Sequence, residues 1–92
     1  MDLIQEIRSR LAILSPTRLD IQDDSAMHAG HAGNLGGGHY SITIVSSHFC
    51  EKSQIIRHRL IYQALADLIP TKIHALSIRA YASNEQPTHT PL

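Results

Sequence analysis

The sequence has few of the residues that build aromatic cores and disulfide frameworks. Its 92 residues include no tryptophan, one phenylalanine and three tyrosines, so the core must be built from Ile, Leu, Val and Ala. A single cysteine, Cys50, excludes a disulfide within the chain and fits a reducing compartment. A chain of this length with 42% hydrophobic residues is expected to form one small domain of mixed helices and strands.

Net charge and long apolar runs are also missing. Eight basic and eight acidic residues cancel, whereas strong nonspecific binders of nucleic acid or acidic membranes carry a basic excess. No apolar stretch approaches the roughly 20 residues of a membrane-spanning helix, and the charged N-terminal segment lacks the apolar run of a signal peptide. We therefore expect no membrane association and a cytoplasmic location.

Glycine is absent outside one segment of the chain. All five glycines lie between positions 30 and 38, and His28, His31 and His39 lie in or beside the same segment. A long loop without structure of its own is uncommon in a small domain and is usually functional. Neutral imidazole is an available metal ligand and proton carrier near pH 7. This segment is therefore the first candidate for a functional site.

Apolar residues at spacings of three and four predict two helical segments. The first covers residues 3–14, with Asp2 as its N-cap, and the second covers residues 53–69. Arg57 falls in the middle of the apolar stripe of the second segment. This position indicates either a break near residues 55–57, which is the interpretation we favour, or an arginine that reaches past the core to solvent.

Alternation of apolar and polar residues predicts three strands. The first begins at Arg18 and stops at Asp23–Asp24, the second covers residues 40–46, and the third covers Ile73–Tyr81. The first two are expected to form a hairpin around the glycine-rich loop, and the third to join the same sheet after a helical crossover. In the third strand, one face is predicted to hold His74, Leu76, Ile78 and Ala80.

These elements give the order helix, strand, strand, helix or helix pair, strand. We expect residues 1–82 to form a single domain and residues 83–92 to be a flexible tail.

Four successive segments resemble the BolA family: LDIQDDSAMHAGHAG, HYSITIVSSHF, KSQIIRHRLIYQALADLI and IHALSIRAY. The resemblance implies an α/β (α+β) fold similar to class II KH domains, with a three-stranded sheet backed by helices. It also implies a helix-turn-helix-like element around residues 51–68.

The resemblance further implies a heterodimer with a monothiol glutaredoxin that shares a glutathione-ligated 2Fe-2S cluster. His74, in the segment HAL, matches the family's principal ligand. The second ligand of the histidine-type branch comes from the loop between the first two strands, where His28 is the best positional match and His31 and His39 are alternates. The cysteine-type branch has a cysteine in that loop. Cys50 lies outside it, so its role is open.

An iron-sulfur cluster needs four protein or thiol ligands, and the one cysteine of this chain cannot build that site alone. The incomplete set is itself an argument for a partner, and alone we expect a monomer or a weak homodimer. The function implied is an adaptor or regulator in cluster trafficking or in iron and redox regulation. No nucleophile is flanked by a base and an orienting group, so we expect no enzymatic activity.

A second hypothesis is a DNA-binding transcriptional regulator. The sequence has one basic cluster, formed by Lys52, Arg57 and Arg59, and in a helix-turn-helix-like element these side chains would contact phosphates. The GxxG loop that KH domains use for nucleic acid is absent from the corresponding position. The alternative to DNA contact is a solvated face or a partner-docking surface.

Overall fold

The fold is built on a three-stranded sheet in the order β1-β2-β3. The computed structural model describes residues 2–24 and 38–85. Strand β1 (Arg18–Asp23) pairs antiparallel with β2 (Gly38–Val45), and β2 pairs parallel with β3 (Ile73–Tyr81). The three predicted strands and the crossover to the third are confirmed.

The first helix, α1 (Leu3–Leu11), begins with a complete capping box. The side chain of Asp2 accepts a hydrogen bond from the backbone N–H of Gln5 at 2.9 Å, and the side chain of Gln5 accepts one from the backbone N–H of Asp2 at 3.3 Å. A 3₁₀ turn at Ala12–Leu14 continues the helix, so the predicted segment 3–14 is confirmed.

Within residues 2–24 and 38–85, helices cover one face of the sheet and leave the other open. Along β2, Tyr40, Ile42 and Ile44 are buried, and the residues between them are half-exposed. This is the alternation expected of a strand with one covered face. The residues that form the centre of the core are Ile7, Leu11, Ile42, Ile44, Phe49, Ile61, Leu65 and Ile73.

The second helix, α2 (Gln54–Ala64), is continuous, and the predicted break near residues 55–57 is wrong. Ser53 caps it by accepting a hydrogen bond from the backbone N–H of Ile56. The alternative of an arginine that reaches solvent is wrong as well, because Arg57 is only 4% exposed and is held by internal partners. Residues 51–68 contain this one α-helix, followed by turns, so the helix pair and the helix-turn-helix-like element expected there are not formed by these residues.

The folded part of the chain continues past the predicted boundary at residue 82. Glu85 pairs with Arg57 through two oxygens and also accepts a hydrogen bond from the backbone N–H of Ala82 at 3.0 Å. The domain therefore extends at least to Glu85, and the remainder of the predicted tail lies outside the described residues. In the described part of the chain, neither helix has the length and apolar character needed to cross a bilayer.

Candidate functional site

Two histidines meet where β2 and β3 begin. The ring centroids of His39 and His74 are 5.5 Å apart, with the ring planes inclined at 47°. Two imidazoles bound to one tetrahedral metal ion, with metal–nitrogen bonds of about 2.1 Å, have their centroids about 5 Å apart. The separation of the His39 and His74 rings is therefore compatible with a shared metal or cluster iron, and it is also within the range of an ordinary contact between two rings.

A β-bulge produces this juxtaposition. Gly38 is opposite Ile73, but His39 is opposite Ala75, so His74 is an extra residue in β3. Strict alternation predicts His74 on the buried face with Leu76, and this prediction is wrong. Because the bulge shifts the alternation, Ile73 is buried and His74 is exposed.

The neighbours of His39 fix its backbone. Its carbonyl oxygen accepts a hydrogen bond from the backbone N–H of Asp24 at 2.7 Å, and Gly38 is tied to Lys72 by a hydrogen bond at 3.0 Å. A Cβ atom at position 38 would overlap the ring of Tyr40, which is buried. Glycine at this position therefore allows Tyr40 to pack while the next residue, His39, lies on the open face.

Burial changes the chemistry of the tyrosine next to the histidine pair. The phenol pKa of Tyr40 is raised, first because burial disfavours the phenolate and then because Asp23 and Asp2 add negative potential. Tyr40 is thus neutral at physiological pH. Its phenol is on the buried face of β2, opposite to His39, and supplies no additional anionic ligand.

The other predicted loop ligands, His28 and His31, lie outside the described residues, so their assignment stays a prediction. Residues 2–24 and 38–85 contain no group of three or more His, Cys, Asp or Glu side chains arranged to hold a metal ion. Within that part of the chain, His39 and His74 therefore form an incomplete ligand set.

Cys50 is at the opposite end of the sheet. It follows the end of β2, and its Sγ lies 3.9 Å from the side-chain oxygen of Asn84, which follows the end of β3. The two histidines are at the beginning of these parallel strands, so the length of a strand, roughly 20 Å at about 3.3 Å per residue, separates them from the thiol. Cys50 cannot bind the same metal centre from there.

The predicted basic cluster does not form one surface. Lys52 and Arg59 are exposed, whereas Arg57 is buried and points into the domain. Its guanidinium donates to the carbonyl oxygens of Lys52 and Ala80 and to both carboxylate oxygens of Glu85. Arg57 is therefore unavailable to a phosphate, and the hypothesis of DNA contact retains only Lys52 and Arg59.

Comparison with known proteins agrees with this architecture. The family model described as BolA-like protein matches residues 11–85. The structure of BolA1 from Arabidopsis thaliana superimposes with a TM-score of 0.81 at 36% identity, covering 95% of this chain and 98% of that one. The mixed α+β fold with a three-stranded sheet and helices is thus the fold of BolA domains.

Two related proteins have informative names. SufE-like protein 1, chloroplastic/mitochondrial, of Arabidopsis thaliana is 45% identical over 73% of this chain, which spans 20% of that protein. The DNA-binding transcriptional regulator BolA of Escherichia coli is 33% identical over 92% of this chain and 80% of its own length. The chain spans 49% and 53% of two further curated relatives. On the family match and these identities, the chain belongs to the BolA-like family.

Proposed function

We propose that this protein is a binding partner of a monothiol glutaredoxin and holds, together with it and glutathione, a shared 2Fe-2S cluster. The observation that carries the proposal is the contact between His39 and His74 at the start of β2 and β3. The cellular role proposed is cluster trafficking or iron and redox regulation. The protein would act by binding and not by catalysis.

The chemistry of the donor set supports this proposal. Rieske-type centres bind one iron through two histidines and have higher reduction potentials than all-cysteine clusters, and this is the chemistry that imidazole ligands would supply. His74 and His39 provide two nitrogen ligands, and Cys50 is too remote to provide a third. A glutaredoxin cysteine and the thiol of glutathione would complete the four. His28 and His31 remain alternates to His39 as the second nitrogen ligand.

Reconstitution with the partner tests the proposal. The protein is mixed anaerobically with the monothiol glutaredoxin of its host, glutathione, iron and sulfide, and the complex is isolated by size exclusion. We expect a heterodimer whose visible absorption and circular dichroism differ from those of the glutaredoxin's own cluster, because two thiolate ligands are replaced by imidazoles. The glutaredoxin alone is the control. Cluster spectra identical with and without this protein would contradict the proposal.

A second candidate function is DNA binding, which the name of the Escherichia coli relative favours. Lys52 and Arg59 are the exposed cations that would contact phosphates. Each such contact is expected to steepen the dependence of log affinity on log salt by about 0.9.

Mobility-shift titrations of duplex DNA at several salt concentrations test this function. The double variant Lys52→Ala/Arg59→Ala should bind more weakly and with a slope shallower by about 2. Arg79→Ala, which removes an exposed cation from the sheet, is the matched control. Equal binding by the double variant and the control would exclude this surface.

A further inference from the structure

Helix α2 carries apolar side chains on the side that faces away from the sheet. Ile55 is 71% exposed and Tyr62 is 42% exposed. Because they are seven residues apart, nearly two helical turns, they lie on the same face of the helix. Arg59, also exposed, lies between them on this face. Ile55, Arg59 and Tyr62 together are called the outer stripe.

The fold accounts for the inner face of α2 but not for the outer stripe. Arg57, on the inner face, has internal partners in Glu85 and the carbonyl oxygen of Ala80. An amphipathic helix of a globular domain normally has its arginines outside and its isoleucines inside. Here an arginine is inside and Ile55 is outside, and no contact among residues 2–24 and 38–85 covers this isoleucine.

The composition of the outer stripe is that of the centre of a protein interface. Such centres are enriched in aromatic residues and arginine, and these residues carry much of the binding energy. Phosphate binding would use Arg59 but would leave Ile55 and the ring of Tyr62 without a role. The exposed apolar side chains therefore favour a protein partner over nucleic acid.

The charge of the stripe indicates the chemistry of that partner. Arg10 and Arg18 are bound to Asp67 and Asp20, but within residues 2–24 and 38–85 Arg59 makes no ion pair. A guanidinium between two apolar side chains is complementary to a carboxylate flanked by apolar groups.

We propose that the outer stripe docks an amphipathic acidic segment of another protein, with apolar side chains on Ile55 and Tyr62 and a carboxylate on Arg59. Helix α2 packs with Ile61 and Arg57 inward, so the stripe is on the helical side of the domain. His39 lies on the open side of the sheet. The two surfaces face away from each other, so a protein bound at the histidines and one bound at the outer stripe can be held together.

Selection of binding peptides tests this docking surface. A random-peptide phage library is panned against the folded, immobilised protein, and the selected peptides are synthesised with a fluorescent label. We expect them to combine apolar residues with Asp or Glu. In anisotropy titrations, Ile55→Ser and Arg59→Glu should each weaken binding about tenfold or more. A peptide with its carboxylates replaced by lysine should recover binding to Arg59→Glu.

Two matched variants control for nonspecific effects. Ile13→Ser changes another exposed isoleucine, 73% exposed, and Arg79→Glu reverses an exposed arginine on the sheet; both should bind the peptides as the unchanged protein does. The proposal is overturned if no acidic amphipathic peptide is recovered, or if the controls weaken binding as much as the stripe variants do.

Two results would identify a different occupant of the outer stripe. The occupant would be a second copy of this chain if sedimentation velocity shows self-association that Ile55→Ser abolishes. The occupant would instead be nucleic acid if no acidic peptide is recovered and if binding of duplex DNA is lost with Arg59→Glu but retained with Ile55→Ser. Since these measurements need no cluster, their failure leaves the glutaredoxin proposal unaffected.

Discussion

Replacing His74 with alanine is expected to remove the distinct visible absorption and circular dichroism of the cluster complex formed with a monothiol glutaredoxin and glutathione. His74 is exposed, and its ring lies 5.5 Å from that of His39. No third ligand is clustered with them in the described part of the chain to take its place. Because loss of even a hydrogen-bond partner of a ligand costs 10–100-fold in metal affinity at typical sites, we expect the cluster half-life to fall by at least about tenfold.

The control for this variant is His48→Ala, which removes a histidine near the far end of the sheet. It should leave the spectrum and the half-life unchanged. Size exclusion of the apo proteins separates loss of the cluster from loss of docking, because a heterodimer that persists without the cluster localises the defect to ligation. An unchanged spectrum and half-life for His74→Ala would show that the ligand assignment is wrong.

The identity of the second ligand can be read from cysteine substitutions. His39→Cys, made at the residue that contacts His74, is expected to shift the spectrum toward the cysteine type. It should also reduce release of the cluster by acid, because protons compete directly with metal for imidazole nitrogen. His28→Cys and His31→Cys are made in parallel. If only His28→Cys or only His31→Cys shifts the spectrum toward the cysteine type, the second ligand is that residue of the glycine-rich loop. The contact between His39 and His74 is then a packing contact.

Local patterns predicted most of the fold because they depend on neighbours in sequence. The capping residue Asp2, the apolar spacing of α1 and the alternation along β2 each determine an element within about ten residues. The crossover that makes β3 parallel to β2 follows from a helix lying between two strands. These features could be predicted before any long-range contact was known.

The features that the sequence did not reveal depend on distant or irregular contacts. Contact between His39 and His74 requires the bulge in β3, and strict alternation predicts the opposite face for His74. The burial of Arg57 on the inner face of α2 requires a partner, and that partner is Glu85, 28 residues away. The sequence did contain one indication of this ion pair. Arg57 lies inside an apolar stripe, and Glu85 is the single acidic residue that follows the last strand.

The second large effect is expected from Arg57→Ala, which should lower the free energy of unfolding by about 3 kcal/mol. The Arg57 side chain is 5% exposed and forms a bidentate ion pair with Glu85, with N–O distances of 2.7 and 2.9 Å. It also satisfies the carbonyl oxygens of Ala80 and Lys52 at 3.0 and 2.8 Å. The truncated variant loses all of these bonds and leaves a void beside Phe49, whose ring is 6.0 Å from the guanidinium carbon.

Urea denaturation followed by circular dichroism measures this effect. Arg59→Ala, two residues further along the same helix and exposed, is the matched control and should stay within about 0.5 kcal/mol of the unchanged protein. Arg57→Met separates the two contributions, because it fills part of the void but cannot bind Glu85 or the carbonyl oxygens. An Arg57→Ala variant as stable as Arg59→Ala would contradict the structural role assigned to this arginine.

The same ion pair predicts how stability depends on pH. The hydrogen bonds from Arg57, and then the one from the backbone N–H of Ala82, lower the pKa of Glu85 from 4.5 to about 2. Since the pKa is lower in the folded chain than in the unfolded chain, the ionised carboxylate stabilises the fold. This contribution is complete above about pH 4.5 and is lost as the pH falls toward 2.

Urea titrations across this interval should show a smaller loss of stability for Glu85→Gln than for the unchanged protein. The control Asp67→Asn removes a carboxylate whose pKa is also lowered, by Arg10, but in an exposed pair. Asp67→Asn should leave most of the pH dependence of stability in place. If the free energy of unfolding falls with pH equally in the unchanged protein and in Glu85→Gln, the Arg57–Glu85 pair is not the source of that pH dependence.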